Sequence, residues 1–255
     1  MSEQWLWIDG AFVGADEQGE AAADDVVAPF ETMGASAAVL PLWDRHLARL
    51  CATLDALGGA LDPRGLRETA GELLRRNGHE DGVLRLVQEL RPRGQCTWMD
   101  TRPRSGTSAV WLLPTVTRRA TDAPPPRWKV RPRRFYDEVL AEARAGGADD
   151  GIVLAEDGAL LETAVGNLWL LLDGQWVTPP DDGRMLPGIA RGILLADSTE
   201  PRAIERRCDL ADLHRAEALM VSNAVYGPRP AALLGQTVEN RDSALLSVWQ
   251  NAISG

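Results

Sequence analysis

Thr121-Asp122-Ala123-Pro124-Pro125-Pro126-Arg127-Trp128-Lys129-Val130 is the stretch on which the reading of this chain turns. Three consecutive prolines have no backbone N–H and a fixed φ, so they continue neither a helix nor an interior strand. With polar Thr121 and Asp122 before them they predict a linker over 121–127. The 255 residues then fall into a part of 1–120 and a part of 128–255. Lys129, just past the linker, is the only lysine; the other 26 of the 27 basic side chains are arginine. A guanidinium stays protonated and is a poor nucleophile, whereas an ε-amine can lose its proton and condense with a carbonyl. An arginine-biased composition would also leave one lysine by accident, and the residue alone does not choose between the two.

On the amino-terminal side, Trp5 to Val13 alternates apolar and other residues around Asp9-Gly10, the pattern of an opening hairpin. Leu42, His46, Leu47, Leu50, Leu54 and Leu57 recur at helical spacing up to Gly58-Gly59, and Leu66 to Arg76 repeats the pattern before Asn77-Gly78. Val83–Leu90 and Ala109–Val116 read as strands and complete a small α+β domain. On the carboxyl-terminal side, Arg134–Ala145 and Leu186–Ala196 read as helices, and Gly151–Ala155 and Asn167–Leu172 as strands. Asp157-Gly158 and Asp173-Gly174 are the expected hairpin turns. The fold class is α+β, with a larger, strand-rich second domain carrying Lys129.

A net charge of −10 and a pI near 4.9 argue against a nucleic-acid partner and against attraction to an anionic membrane. Any anionic ligand must be held by local arginines. The first ten residues lack a basic segment followed by an apolar core, and no run of eighteen apolar residues occurs, so a cytoplasmic location is expected. Cys51, Cys96 and Cys208 suggest no disulfide framework, and His46, His79 and His214 are too dispersed to predict a metal site.

A lysine that forms a Schiff base is useful when it holds pyridoxal 5'-phosphate, and that cofactor makes further demands. Its ring nitrogen needs an acid, for which Glu162 is a candidate, though a strand-end carboxylate is often simply solvated. Its phosphate suits a helix amino terminus, and Leu186-Pro187-Gly188-Ile189-Ala190 opens a helix with Pro and Gly. A fixed guanidinium also serves, and Arg49 sits among apolar neighbours in Asp44-Arg45-His46-Leu47-Ala48-Arg49-Leu50, where pairing with a carboxylate is the other reading.

Together these residues resemble the class IV, or fold-type IV, pyridoxal-phosphate enzymes: branched-chain and D-amino-acid aminotransferases and aminodeoxychorismate lyase. The resemblance rests on Phe30-Glu31-Thr32, on His46-Leu47-Ala48-Arg49-Leu50, and on Lys129 with Glu142-Ala143 thirteen residues later. It continues through Glu162 with Asn167, Thr178-Pro179-Pro180, Leu186-Pro187-Gly188-Ile189 and Ser222-Asn223. It implies a two-domain fold, Lys129 as the Schiff-base lysine, Arg49 on the phosphate and Glu162 at the ring nitrogen, with Asn167 close by. It also implies a phosphate cup from Gly188, the amides of Ile189 and Ala190, and the turn Ser222-Asn223-Ala224. That the only lysine falls where the family needs one makes accident the weaker account.

Within the family, Phe30-Glu31-Thr32-Met33, Asp44 to Leu50 and the run Lys129 to Asp137 look most like aminodeoxychorismate lyases. The activity implied is conversion of 4-amino-4-deoxychorismate to 4-aminobenzoate and pyruvate, a step of folate biosynthesis. The amine of the substrate displaces Lys129, and the freed lysine removes the ring proton as enolpyruvate leaves. A class IV aminotransferase acting on a D- or branched-chain amino acid or a specialised-pathway amine is the alternative. A third reading is a non-catalytic homologue binding an aminodeoxychorismate synthase, which could also partner an active lyase. Thr32, Arg91, Arg93 and Arg229 are the candidate contacts for the small-molecule amine and its carboxylates, and a solvated loop is the other reading for each arginine. The family further implies a homodimer. Two segments depart from its pattern: Asp24-Asp25-Val26-Val27-Ala28-Pro29 and Thr163-Ala164-Val165-Gly166.

Overall fold

The computed structural model describes residues 4–15, 26–106, 109–120, 126–197, 202–238 and 244–254. The chain forms two units, Met1–Gly106 with Trp128–Pro132, and Thr107–Arg127 with Arg133–Gly255.

In the first unit, Asp9 and Gly10 take φ of 44° and 101°, the left-handed pair that a two-residue hairpin turn requires. They join β1 (Trp5–Ile8) to β2 (Ala11–Gly14). β3 (Ala28–Gly34), β4 (Val83–Arg91), β5 (Gly94–Arg102) and β7 (Val130–Arg131) complete a six-stranded sheet in the order β2-β1-β5-β4-β3-β7. Helices α1 (Trp43–Leu57) and α2 (Leu66–Arg76) supply Trp43, Leu50, Leu54, Leu66, Leu73 and Leu74 to a core with Met33, Leu84, Leu86 and Met99. Strand side chains alternate between faces, so this assigns Glu31 to the helix-covered face. The other face carries the cross-strand rows Phe30, Val87, Trp98 and Thr32, Arg85, Asp100.

The second unit is built on an eight-stranded sheet. Its strands are β6 (Val110–Arg119), β8 (Asp150–Ala155), β9 (Leu160–Thr163), β10 (Asn167–Leu172), β11 (Gln175–Thr178), β12 (Ile204–Glu205), β13 (Ala218–Asn223) and β14 (Gly227–Leu233). They run in the order β12-β11-β10-β13-β14-β6-β8-β9, with β14, β6 and β8 parallel. Asp173 and Gly174, at φ 52° and 74°, turn β10 into β11. One face packs Leu112, Ile152, Leu168, Leu170 and Val221 with Leu213 of α5 (Leu210–Arg215). On the other, Val139 of α3 (Arg134–Ala145) packs on Val153, Ala155 and Leu161. α4 (Ile189–Ala196) and α6 (Ala244–Ser254) contact β13 and β14.

This division corrects the expected domains of 1–120, 121–127 and 128–255. The strand read at 109–116 is β6, and its parallel pairing with β14 and β8 puts it in the second unit. Lys129 belongs to the first unit, because β7 pairs with β3 and the Phe30 amide donates to the Lys129 carbonyl at 2.9 Å. Residues 121–125, most of the expected linker, lie outside the described residues, as do Asp24 and Asp25. The helix read from Leu186 begins at Ile189.

Candidate active site

The first unit assembles a buried charged cluster around Glu31, whose side chain is 1% exposed. Arg49 and His46 stand three residues apart on α1, hence on one face of it. Arg49 donates from Nε to Oε1 at 2.7 Å and from Nη2 to Oε2 at 2.6 Å, and His46 Nδ1 lies 2.7 Å from Oε2. Burial pushes the Glu31 carboxyl up, but the hydrogen bonds from Arg49 and His46, reinforced by their charge, outweigh it and bring the pKa down to about 2. Burial pushes His46 below its usual range, and the positive charges of Arg49 and Lys129 add to that. Facing a carboxylate, the ring must donate from Nδ1. Arg49, expected either on a phosphate or paired with a carboxylate, has its Nε–Nη2 edge fixed by Glu31.

On the opposite face of the same sheet, Lys129 Nζ lies 4.8 Å from the centroid of the Phe30 ring. Beyond Phe30 on that face come Thr32, partly buried, and Arg85, whose guanidinium stacks 5.0 Å over Trp98 and donates from Nε to Asp100 at 3.0 Å. Arg85 was not among the sequence candidates. The available signal was its even spacing with Val83 and Val87 along β4, the period of one sheet face. Arg91 donates to buried Glu89 at 2.6 and 2.8 Å, and Arg93 is exposed in the Arg91–Gly94 turn. The turn gives neither arginine the apolar floor that Arg85 has.

In the second unit the strand connections bring Glu162, Asn167, Gly188 and Ser222 together. Glu162, 4% exposed, accepts at Oε1 from the Tyr136 hydroxyl at 2.5 Å and from the Leu186 amide at 3.1 Å, while Asn167 Nδ2 lies 3.5 Å from Oε2. Burial raises its pKa to about 7 against the pull of those hydrogen bonds and of Arg133 and Arg119. Asn167 also donates to the Leu186 carbonyl at 3.2 Å, and it pairs across the sheet with Ser222. A Cβ on Gly188 would stand 1.9 Å from Asn167 Oδ1, so any larger residue there would push the Asn167 amide aside. No side chain caps that helix, and the amides of Ile189 and Ala190 have no acceptor within it. Asn223 accepts the Val225 and Tyr226 amides at 3.1 and 3.0 Å, so its side chain shapes the turn that contains Ala224. Ser222 Oγ accepts the Trp169 indole N–H at 2.9 Å. Arg229 lies apart from this group, opposite Val221 on β14 and stacked 4.3 Å over Tyr226; burial lowers its pKa. Among the described residues no group of three His, Cys, Asp or Glu is placed to hold a metal, and no helix is long and apolar enough to cross a membrane.

The profile of the amino-transferase class IV family matches residues 28–234. The chain belongs to the class IV aminotransferases. With that membership goes an enzyme dependent on pyridoxal 5'-phosphate. A Mesorhizobium loti structure provisionally named an amino-acid aminotransferase is 30% identical, with 82% of this chain and all of that one covered and a TM-score of 0.69. The branched-chain aminotransferase of Thermoproteus uzoniensis is 22% identical, covers 98% and 93%, and scores 0.81. A Legionella pneumophila protein provisionally named a 4-amino-4-deoxychorismate lyase is 18% identical, covers 92% and 96%, and scores 0.79. The last two share the fold. No curated protein sequence matches the class IV chain significantly.

The residues present fit the cofactor. Taken by itself, the first unit offers a lysine for an aldehyde and a guanidinium held by Glu31, and the second offers a buried acid for a ring nitrogen and uncapped amides behind Gly188 for a phosphate.

Proposed function

We propose that this class IV enzyme is a lyase that converts 4-amino-4-deoxychorismate to 4-aminobenzoate and pyruvate. The observation that carries the reading is the sheet face under Lys129, where Phe30, Val87 and Trp98 form an apolar floor bordered by the Thr32 hydroxyl and the Arg85 guanidinium. A flat six-membered ring bearing carboxylates matches such a floor, with aromatic area for the ring and a cation for the acid.

In the first unit Lys129 would tether the cofactor and Arg49 would serve its phosphate; in the second, the amides of Ile189 and Ala190 and the turn at Ser222, Asn223 and Ala224 would serve the phosphate. Asn167 keeps Gly188 and Glu162 in place, and Glu162 holds the proton at the ring nitrogen. Once bound, the cofactor supplies an electron sink for the pair left when a proton departs next to the substrate nitrogen. Lys129, as a free amine, would take that proton from the ring carbon. The C–O bond to the enolpyruvyl group breaks, enolpyruvate leaves with the electron pair and tautomerises to pyruvate, and the ring becomes aromatic with no net oxidation. Arg85 and Thr32 orient the substrate, in preference to Arg91 and Arg93. A homodimer remains part of this reading.

Amino-acid transamination is the second reading, favoured by the Mesorhizobium loti relative at 30% identity. The test is borohydride reduction of the cofactor-loaded protein with peptide mapping for a pyridoxyl adduct, then product analysis. Because the chain has one lysine, a pyridoxyl adduct on a side chain of the mapped peptide identifies Lys129 as the tether. Pyruvate released in step with 4-aminobenzoate supports the lyase. Keto acid with accumulation of the amino form of the cofactor supports the transaminase and refutes the lyase, and failure to form an adduct refutes both.

A further inference from the structure

Tyr136 is used by neither the cofactor contacts nor the catalytic steps above, yet its side chain is directed at the acid on which they depend. It lies in the first turn of α3, and its hydroxyl approaches Oε1 of Glu162 at 2.5 Å. It is braced from two sides. The Phe135 ring meets it edge-on at 5.3 Å, and the Arg133 guanidinium lies 4.9 Å over its face while donating to the Ala164 carbonyl at 2.6 Å. The same Glu162 oxygen takes the Leu186 amide, so two donors converge on Oε1 and leave Oε2 with the Asn167 amide at 3.5 Å.

We propose that Tyr136 is a positioning residue, whose hydroxyl anchors Oε1 of Glu162 so that the carboxylate stays ionised with Oε2 turned to the protonated ring nitrogen of the cofactor. This rests on the cofactor reading. The physical reason is the asymmetry of the site. A carboxylate in an apolar enclosure prefers to take up a proton, and a neutral acid cannot hold the ring nitrogen protonated. The charged groups facing Glu162 are Arg133, at the start of α3, and Arg119, on β6; both favour the ionised form. Tyr136 is hydrogen-bonded to Glu162, and it does not compete for the proton, because burial and the Glu162 charge drive its own pKa far up. A phenol here is a donor that stays a donor. A lysine or histidine in its place would titrate.

The experiment follows the protonation of Glu162 in the cofactor-free protein and then in the loaded one. The chain has only two tyrosines, so fluorotyrosine labelling gives two fluorine resonances, assigned with a Tyr226→Phe variant. The Tyr136 resonance is expected to titrate with the midpoint of Glu162 and to stop titrating in Glu162→Gln. In Tyr136→Phe, infrared difference spectroscopy should place the Glu162 midpoint about one to two units higher, the loss of one hydrogen bond to a charged acceptor. The cofactor should then dissociate roughly tenfold more readily at neutral pH for each unit of that shift, with the pH profile of its visible spectrum displaced in the same direction. An unmoved midpoint in a folded Tyr136→Phe protein overturns the proposal, and so does a Tyr136 resonance indifferent to Glu162→Gln. The fluorotyrosine arm needs no substitution at position 136, so it decides the matter even if Tyr136→Phe does not fold. Wild type that forms no pyridoxyl adduct on Lys129 fails the cofactor reading itself. An adduct with an unmoved midpoint fails Tyr136 alone.

Discussion

Glu31→Gln removes one negative charge and almost no volume, and leaves the Arg49 guanidinium facing an amide in a site where Arg49 is only 15% exposed and Glu31 1%. The drop of the Glu31 pKa from 4.5 to about 2 corresponds to about 3 kcal/mol at 1.36 kcal/mol per unit. Breaking a buried pair from one side independently costs about 3–5 kcal/mol. The partial exposure of Arg49 favours the lower end, so the expected loss is about 3 kcal/mol in urea unfolding of the cofactor-free protein at pH 7. Between its folded and unfolded pKa values a depressed carboxyl binds fewer protons folded than unfolded. The contribution of Glu31 is therefore complete above pH 4.5 and lost as pH falls toward 2. The gap between wild type and Glu31→Gln should narrow by about 1.4 kcal/mol per unit in that window. Pairing Glu31→Gln with Arg49→Met should cost much less than the sum of the two single changes, since the stranded cation is gone. His46, lowered from 6.5, adds a separate loss that begins as pH falls below that value, because the unfolded chain takes up the proton first. A loss under about 1 kcal/mol, or additive single changes, would refute the account of Glu31 as the clamp on Arg49.

Gly188→Ala sets a methyl group 1.9 Å from Asn167 Oδ1. Asn167 must move, at about 1–3 kcal/mol, and cofactor titration should show weaker binding than in a Gly192→Ala control, whose added methyl meets nothing within 4 Å. Ala37 and Ala38 form the tight turn closed by Ser36 and Val39 with φ of 48° and 60°. Left-handed backbone is strained for alanine, so Ala38→Gly should stabilise the protein by up to about 1 kcal/mol, visible as a higher Tm in calorimetry. Arg85→Gln, with Asp100→Asn to avoid a stranded acid, should raise KM for a carboxylate-bearing substrate more than it lowers kcat. An unchanged KM would remove Arg85 from the binding surface.

The proposed site residues were legible as residue types at fixed intervals. Lys129, Arg49, Glu162 and the Leu186-Pro187-Gly188-Ile189 run could be named because the cofactor demands an amine, a guanidinium, an acid and free amides. Arg85 and Tyr136 were not: the spacing of Val83, Arg85 and Val87 puts Arg85 on one face of β4 without saying what that face meets, and nothing along α3 says what Tyr136 meets. β5 was missed for a related reason. Gln95, Thr97 and Asp100 make its run mixed in polarity, and Arg91 and Arg93 were read as substrate contacts or a solvated loop, although the chain between Arg91 and Gly94 is the turn that lays β5 along β4 in continuous register.

By itself the sequence determined what is local or chemical. Asp9-Gly10 and Asp173-Gly174 turn where left-handed backbone is cheap, the leucine spacings of α1 and α2 make helices, and the one lysine is the side-chain amine that the chain offers to a carbonyl cofactor. Only the tertiary structure decided what depends on partners far along the chain. Parallel hydrogen bonding to β14 and β8 carries β6 into the second unit, and two residue pairs with β3 hold Lys129 in the first. Strand pairing is chosen by the complementary faces and registers of distant segments, and a proline run between them marks a break without saying which side each neighbour joins.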